Sequence, residues 1–127
     1  MGHSPSFQWM APSLLVRNAP LSAAFYAEAF GFEAVAARHA DGKPVWALLR
    51  GDGAQVILQD QARAAAQSAA QVGALWLCVA DTAALHAQLL RRGLEPSPMG
   101  TLAAWEAPGF TLSDPDGHIW TIVEQSE

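Results

Sequence analysis

One cysteine, Cys78, leaves no partner for an internal disulfide. The fold must then be held by packing, and a reducing cytoplasm is the expected setting. Cations are scarce: seven Lys and Arg against twelve Asp and Glu give a formal net charge of −5. A nucleic-acid partner, which needs a basic face to neutralise phosphates, is not expected. Charged residues of both signs make up only 15% of the chain, which argues against disorder. No apolar run is long enough to span a bilayer, and Met1–Trp9 lacks the apolar middle of a secretory leader, so no membrane partner is expected either.

What the chain does have is apolar residues, 51% of 127, enough for one domain with a real core. Its strongest local signal is Phe110 to Val123, two short strands around Asp114-Pro115-Asp116-Gly117. Pro presets φ for a turn, Asp bonds its own backbone, and Gly accepts a positive φ. Aromatic and β-branched residues flank the turn on both sides, as a hairpin needs. Gly51-Asp52-Gly53, between Val45–Arg50 and Ala54–Gln59, repeats the device.

Ala11–Val16 reads as a first strand. Asn18 is placed to cap a helix and Pro20 to occupy its first turn. Leu21–Phe30 is that helix, with Leu21, Phe25 and Ala29 on one face and Gly31 as its stop. Phe32–Arg38 reads as the second strand, His39–Pro44 as a loop, and Val45–Arg50 and Ala54–Gln59 as strands three and four. Asp60–Val72, rich in Ala and Gln, is a linker with helical propensity. The order then recurs: strand Ala74–Val79, cap Asp81, helix Thr82–Arg92 with Leu85, Leu89 and the Arg92 stem on one side, and stop Gly93. A weak strand Leu94–Pro98, a loop Gly100–Ala104, and strands Trp105–Leu112 and His118–Val123 complete it. Neither half is large enough to bury a core alone. The chain is therefore read as a single domain, 11–124, made of modules 11–59 and 74–124 joined by linker 60–73.

Strand, Asn18 or Asp81 cap, helix with Phe25-Tyr26, Gly31-Phe32, and the Asp114-Pro115-Asp116-Gly117 turn resemble, in their order and twice over, the vicinal oxygen chelate superfamily. That group holds glyoxalase I, the extradiol dioxygenases and the bleomycin-resistance proteins. The resemblance covers Ala11 to Glu124. It implies an α+β fold in which two tandem βαβββ modules form a cupped mixed β-sheet, with helices outside and a pocket inside.

Metal-using members place His or Glu on the first and fourth strands of each module, where a divalent ion can polarise vicinal substrate oxygens. The matching positions here are Ala11, Ala74, Thr121, and Ile57 or Gln59. Methyl, aliphatic, amide and hydroxyl groups replace the donor set, so no metal and no other cofactor are expected. His3, His39, His86 and His118 have no ligand spacing among them. His86 is placed on the wet face of its helix, and His118 is read as a structural partner of the turn. No nucleophile elbow or phosphate-binding loop is present, so no catalytic residue is assigned.

Alternation along the strands gives a pocket list. With Ala11 and Ala74 facing the cup, Ser13, Leu15, Gln55, Ile57, Gln59, Trp76, Cys78, Ile119, Thr121 and Val123 face it too. Trp120, of opposite parity, belongs to the core. Trp46 and Phe110 hold matching places in the two third strands, their facing open, and Trp105 stands at the mouth. Gln59, Ser13, Thr121 and Glu106 are candidate polar anchors; Glu106 would favour a cationic ligand, and it reads equally as a solvated loop carboxylate. The candidate ligand-binding set is Trp46, Gln59, Trp76, Trp105, Glu106, Phe110 and Thr121. An aromatic pocket with few polar groups suits reversible binding of a flat organic molecule. The resemblance points to the bleomycin-resistance type, a homodimer that sequesters a drug or antibiotic without chemistry. The alternatives are a metal-dependent lyase or dioxygenase of the same group, and a structural or regulatory dimer with a filled cup.

Overall fold

The computed structural model describes residues 8–60, 75–102 and 106–125. In chain order its elements are β1 (Ser13–Val16), α1 (Ala19–Phe30), β2 (Glu33–Ala40), β3 (Lys43–Gly51), β4 (Ala54–Asp60), β5 (Leu75–Val79), α2 (Thr82–Arg91), β6 (Gly100–Leu102), β7 (Ala107–Ser113) and β8 (Ile119–Glu124). The strands form two four-stranded mixed sheets, β1-β4-β3-β2 and β5-β8-β7-β6. Each is one βαβββ unit, and within each the outer first strand runs parallel to the fourth. The linker, with its expected helix, lies outside the described residues.

Both helix starts follow from their caps. Asn18 Oδ1 accepts the Leu21 N–H and Asp81 Oδ1 the Ala84 N–H, each at 3.0 Å. Gly31 ends α1 in the left-handed region at φ 73°, where its N–H reaches back to Ala27 and Tyr26 carbonyls. The buried face of α1 differs from the expected one. Ala19, Ser22, Tyr26 and Ala29 are buried, whereas Leu21 is exposed. The helix turns its one phenol inward because a polar partner waits there, as described below. In the second half Leu94–Pro98 is not a strand, and a short strand forms at Gly100–Leu102 instead. Pro96 and Pro98 have no N–H to give to a ladder. Ser97 compensates by donating its N–H to the Thr111 carbonyl and accepting the Thr111 N–H on Oγ, both at 2.9 Å.

The inner faces of the two sheets share one core. Leu14, Val16, Leu49, Val56 and Leu58 come from the first sheet and Leu75, Phe110, Leu112, Trp120 and Ile122 from the second, all buried in one cluster with Tyr26 and Leu89. No described helix is long and apolar enough to cross a membrane.

A polar joint ties the last turn to the start of the chain. Gly117, at φ 88°, donates its N–H to the Asp114 carbonyl at 3.0 Å. Asp114 Oδ1 accepts the Asp116 and His118 N–H groups at 2.9 and 2.8 Å. Its other oxygen accepts the Tyr26 hydroxyl at 2.5 Å, and Tyr26 Oη accepts Trp120 Nε1–H at 2.9 Å. His118 Nε2–H donates to the Leu15 carbonyl at 2.9 Å, which makes it structural, as read from the sequence. Arg17 reaches Asp116 Oδ1 with its backbone N–H at 3.0 Å and with Nε at 2.8 Å.

Asp116 therefore reports on this joint. Burial raises its pKa, but Arg17 and the Ser22 hydroxyl outweigh that and hold the carboxyl below the usual range. A carboxylate with a depressed native pKa adds stability above its unfolded value, about 4. That stability drains away as pH falls through the native value. Asp116→Asn is expected to remove this part of the acid dependence, so mutant and wild-type urea midpoints should converge as pH drops below about 4. Parallel pH profiles would disprove it.

Candidate ligand-binding site

Register decides which side chains can meet a ligand. Directly paired residues share a face. Ser13 pairs with Ile57, Leu15 and Trp46 with Gln59, Leu48 with Ile57, and Arg50 with Gln55. These side chains line the outer face of the first sheet, opposite the core. In the second sheet Trp76 pairs with Thr121, Cys78 with Val123, Thr111 with Thr121, and Ser113 with Ile119. This outer face bears no charge. Trp76 is 44% and Ile119 56% exposed, and the Cys78 thiol is also exposed. The pairing agrees with the parity read from the sequence for both sheets, but Val123, expected to line the cup, is fully buried.

Along β5, the end strand of the second sheet, the surface deepens into a cavity of about 710 Å³. It runs along the seam between the modules and so meets both faces of that strand. Phe30, Phe32, Trp76 and Trp120 give it aromatic walls, and Gln55, Asp52, Asp81 and Gln88 supply polar groups.

The expected site residues divide accordingly. Trp46 and Gln59 lie side by side on the first outer face, half-buried. Trp76 and Thr121 lie side by side on the second. Phe110 is a correction: it is 2% exposed, packed in the core edge-on to His86 at 4.9 Å between ring centres. It pairs with Ile122 rather than Thr121, and one residue of offset changes the face. His86 is a second correction. It is half-buried, with Nε2 bonded to the Ser97 carbonyl at 2.8 Å, and not on a wet face. Glu106 is exposed at φ 51° in the turn before β7 and is not among the residues lining the cavity. Trp105 and Ala74 lie outside the described residues. The sequence reading missed Arg38, whose guanidinium stands over the Trp46 ring, 5.8 Å from its centre. Strand parity would have found it had β2 been aligned to β3.

A family model, the Glyoxalase/Bleomycin resistance protein/Dioxygenase superfamily, matches residues 7–122. The chain belongs to this superfamily. No curated protein sequence matches it. Among solved structures, TioX from Micromonospora sp. ML1 superposes with a TM-score of 0.78 at 17% identity, covering 94% of this chain and all of that one. A lactoylglutathione lyase from Agrobacterium tumefaciens gives a TM-score of 0.70 at 16% identity, covering 95% and 96%. A glyoxalase-related enzyme from Fulvimarina pelagi gives 0.69 at 24% identity, covering 94% and 89%. At these identities the likeness is one of fold.

The metal that enzymes of the superfamily use does not fit the residues present. Ala11, Thr121 and either Ile57 or Gln59 stand at the places the resemblance assigns to ligands, and the fourth, Ala74, lies outside the described residues. Among the described residues no three of His, Cys, Asp and Glu converge on one point. A methyl and an aliphatic chain offer no lone pair, and an amide with a hydroxyl is a poor set for a divalent transition ion.

Proposed function

We propose that this superfamily member binds and sequesters a small planar organic molecule without chemical change, as a homodimer in the cytoplasm. One observation carries the reading: the uncharged outer face bearing Trp76 and Thr121 opens into a seam cavity of about 710 Å³ with aromatic walls. That volume lies within the range of about 300–1,000 Å³ typical of small-molecule sites. The half-exposed Trp76 and Ile119 on the same face also suit cover by a second copy. A ligand held between outer faces of two copies would meet Trp46 and Gln59 from one and Trp76 and Thr121 from the other.

Titration with planar aromatics, 2-naphthylmethanol among them, is expected to change tryptophan fluorescence. Trp76→Ala should weaken binding roughly three- to tenfold, in line with about 0.5–1.5 kcal/mol for a stacked ring. Silence toward every compound of the panel would disprove the reading. Sedimentation should give twice the chain mass. The fold likeness to a lactoylglutathione lyase favours a second reading, a metal-dependent lyase. Stoichiometric metal in purified protein, lost together with binding on chelation, would decide for it.

A further inference from the structure

The outer face of the first sheet carries charge of the sign this acidic chain has least of. Arg38 and Trp46 are directly paired across β2 and β3, and the guanidinium lies over the indole. Arg38 is exposed, with Cζ 5.8 Å from the Trp46 ring centre, so its N–H groups are within reach of a ligand on this face. Of those donors one is engaged, Nη1 with the neighbouring Ala37 carbonyl at a long 3.3 Å. Among the described residues Arg17 forms an ion pair with Asp116, and no such pair is seen at Arg38. Gln59 pairs with Trp46 from the side away from Arg38, and the half-buried Ile57 and Leu15 continue the face as apolar surface.

We infer that the ligand is an aromatic carboxylic acid, bound as its anion with the carboxylate on the Arg38 guanidinium and the ring over Ile57 and Leu15. This rests on the binding reading above and deepens it, since that reading is indifferent to charge. It also reverses the cationic preference that Glu106 suggested in the sequence. Glu33 shares this face but sits at the far end of β3 from Arg38, paired with Arg50. Asp52 and Asp81 line the seam cavity. Arg50 itself is committed to Gln55 Oε1 at 2.8 Å.

Three probes of one shape test it by calorimetry: 2-naphthoate, 2-naphthylmethanol and 2-naphthylmethylammonium. Naphthoate is expected to bind about tenfold or more tighter than the alcohol, the scale of hydrogen bonds to a charged group. The ammonium should bind weakest. Arg38→Gln should remove the carboxylate's advantage over the alcohol, whereas Arg50→Gln should preserve it. Equal affinities, a preference for the ammonium, or loss through Arg50→Gln alone would overturn the inference while leaving small-molecule binding intact. If none of the three binds and the wider panel is also silent, both readings fall together.

Discussion

Asp114→Ala is expected to destabilise the protein by about 3–4 kcal/mol, or roughly 10–15 °C in melting temperature for a domain of this size. The carboxylate is 6% exposed and accepts from two turn N–H groups and the Tyr26 hydroxyl. Alanine would leave all three donors without their acceptor where water has little access. Tyr26→Phe should cost about 2–3 kcal/mol, because it strands Asp114 Oδ2 and Trp120 Nε1 together. The pair also gives an alkaline signature. Burial first, then the bond to Asp114, pushes the Tyr26 hydroxyl above the usual tyrosine range. The folded state thus favours the protonated phenol. Its contribution is complete below the unfolded pKa of about 10 and is lost as pH climbs past it. Tyr26→Phe should abolish that loss. Chemical denaturation at pH 7 and pH 10.5 measures both effects, and an Asp114→Ala cost below about 1 kcal/mol would refute the buried-acceptor argument.

Trp120→Ala is expected to cost about 4 kcal/mol, in the range for deleting a buried aromatic ring. Trp120 is 3% exposed and lies edge-on to Tyr26 and Phe30, with ring centres 5.6 and 5.5 Å away. Those rings belong to the other half of the chain, so the cavity left by alanine would open between modules and neither could close it alone. Trp120→Phe keeps a ring but loses the bond to Tyr26, and should cost less. Because the indole and the phenol share that bond, Trp120→Phe and Tyr26→Phe together should cost less than their sum. Strict additivity by equilibrium denaturation would show that the two do not act as one unit.

Much of this architecture can be read from local chemistry. Asn18, Asp81, Gly31 and the Asp114-Pro115-Asp116-Gly117 turn act through neighbours within a few residues, and period-two alternation assigns the faces of β1, β4, β5 and β8. What could not be read depends on distant partners. The inward face of α1 is decided by Asp114, 88 residues away, which makes Tyr26 rather than Leu21 the buried side chain. Phe110 and Trp46 look equivalent in the repeat, yet register puts one in the core and the other on the outer face. Arg38 had no signal of its own until β2 was laid against β3 with its two register shifts.

The joint between the first helix and the last hairpin also bears on synthesis. A ribosome delivers Tyr26 and Phe30 long before Asp114 and Trp120. Until then the helix can pack on β3, β4 and Phe32 of its own module, but the edges of Tyr26 and Phe30 that meet Trp120 stay uncovered. The first module can form its own sheet, but its seam stays open until the final strand emerges. Productive folding then waits for β8, and a nascent polypeptide stalled before that strand would be a client for chaperones that shield exposed rings.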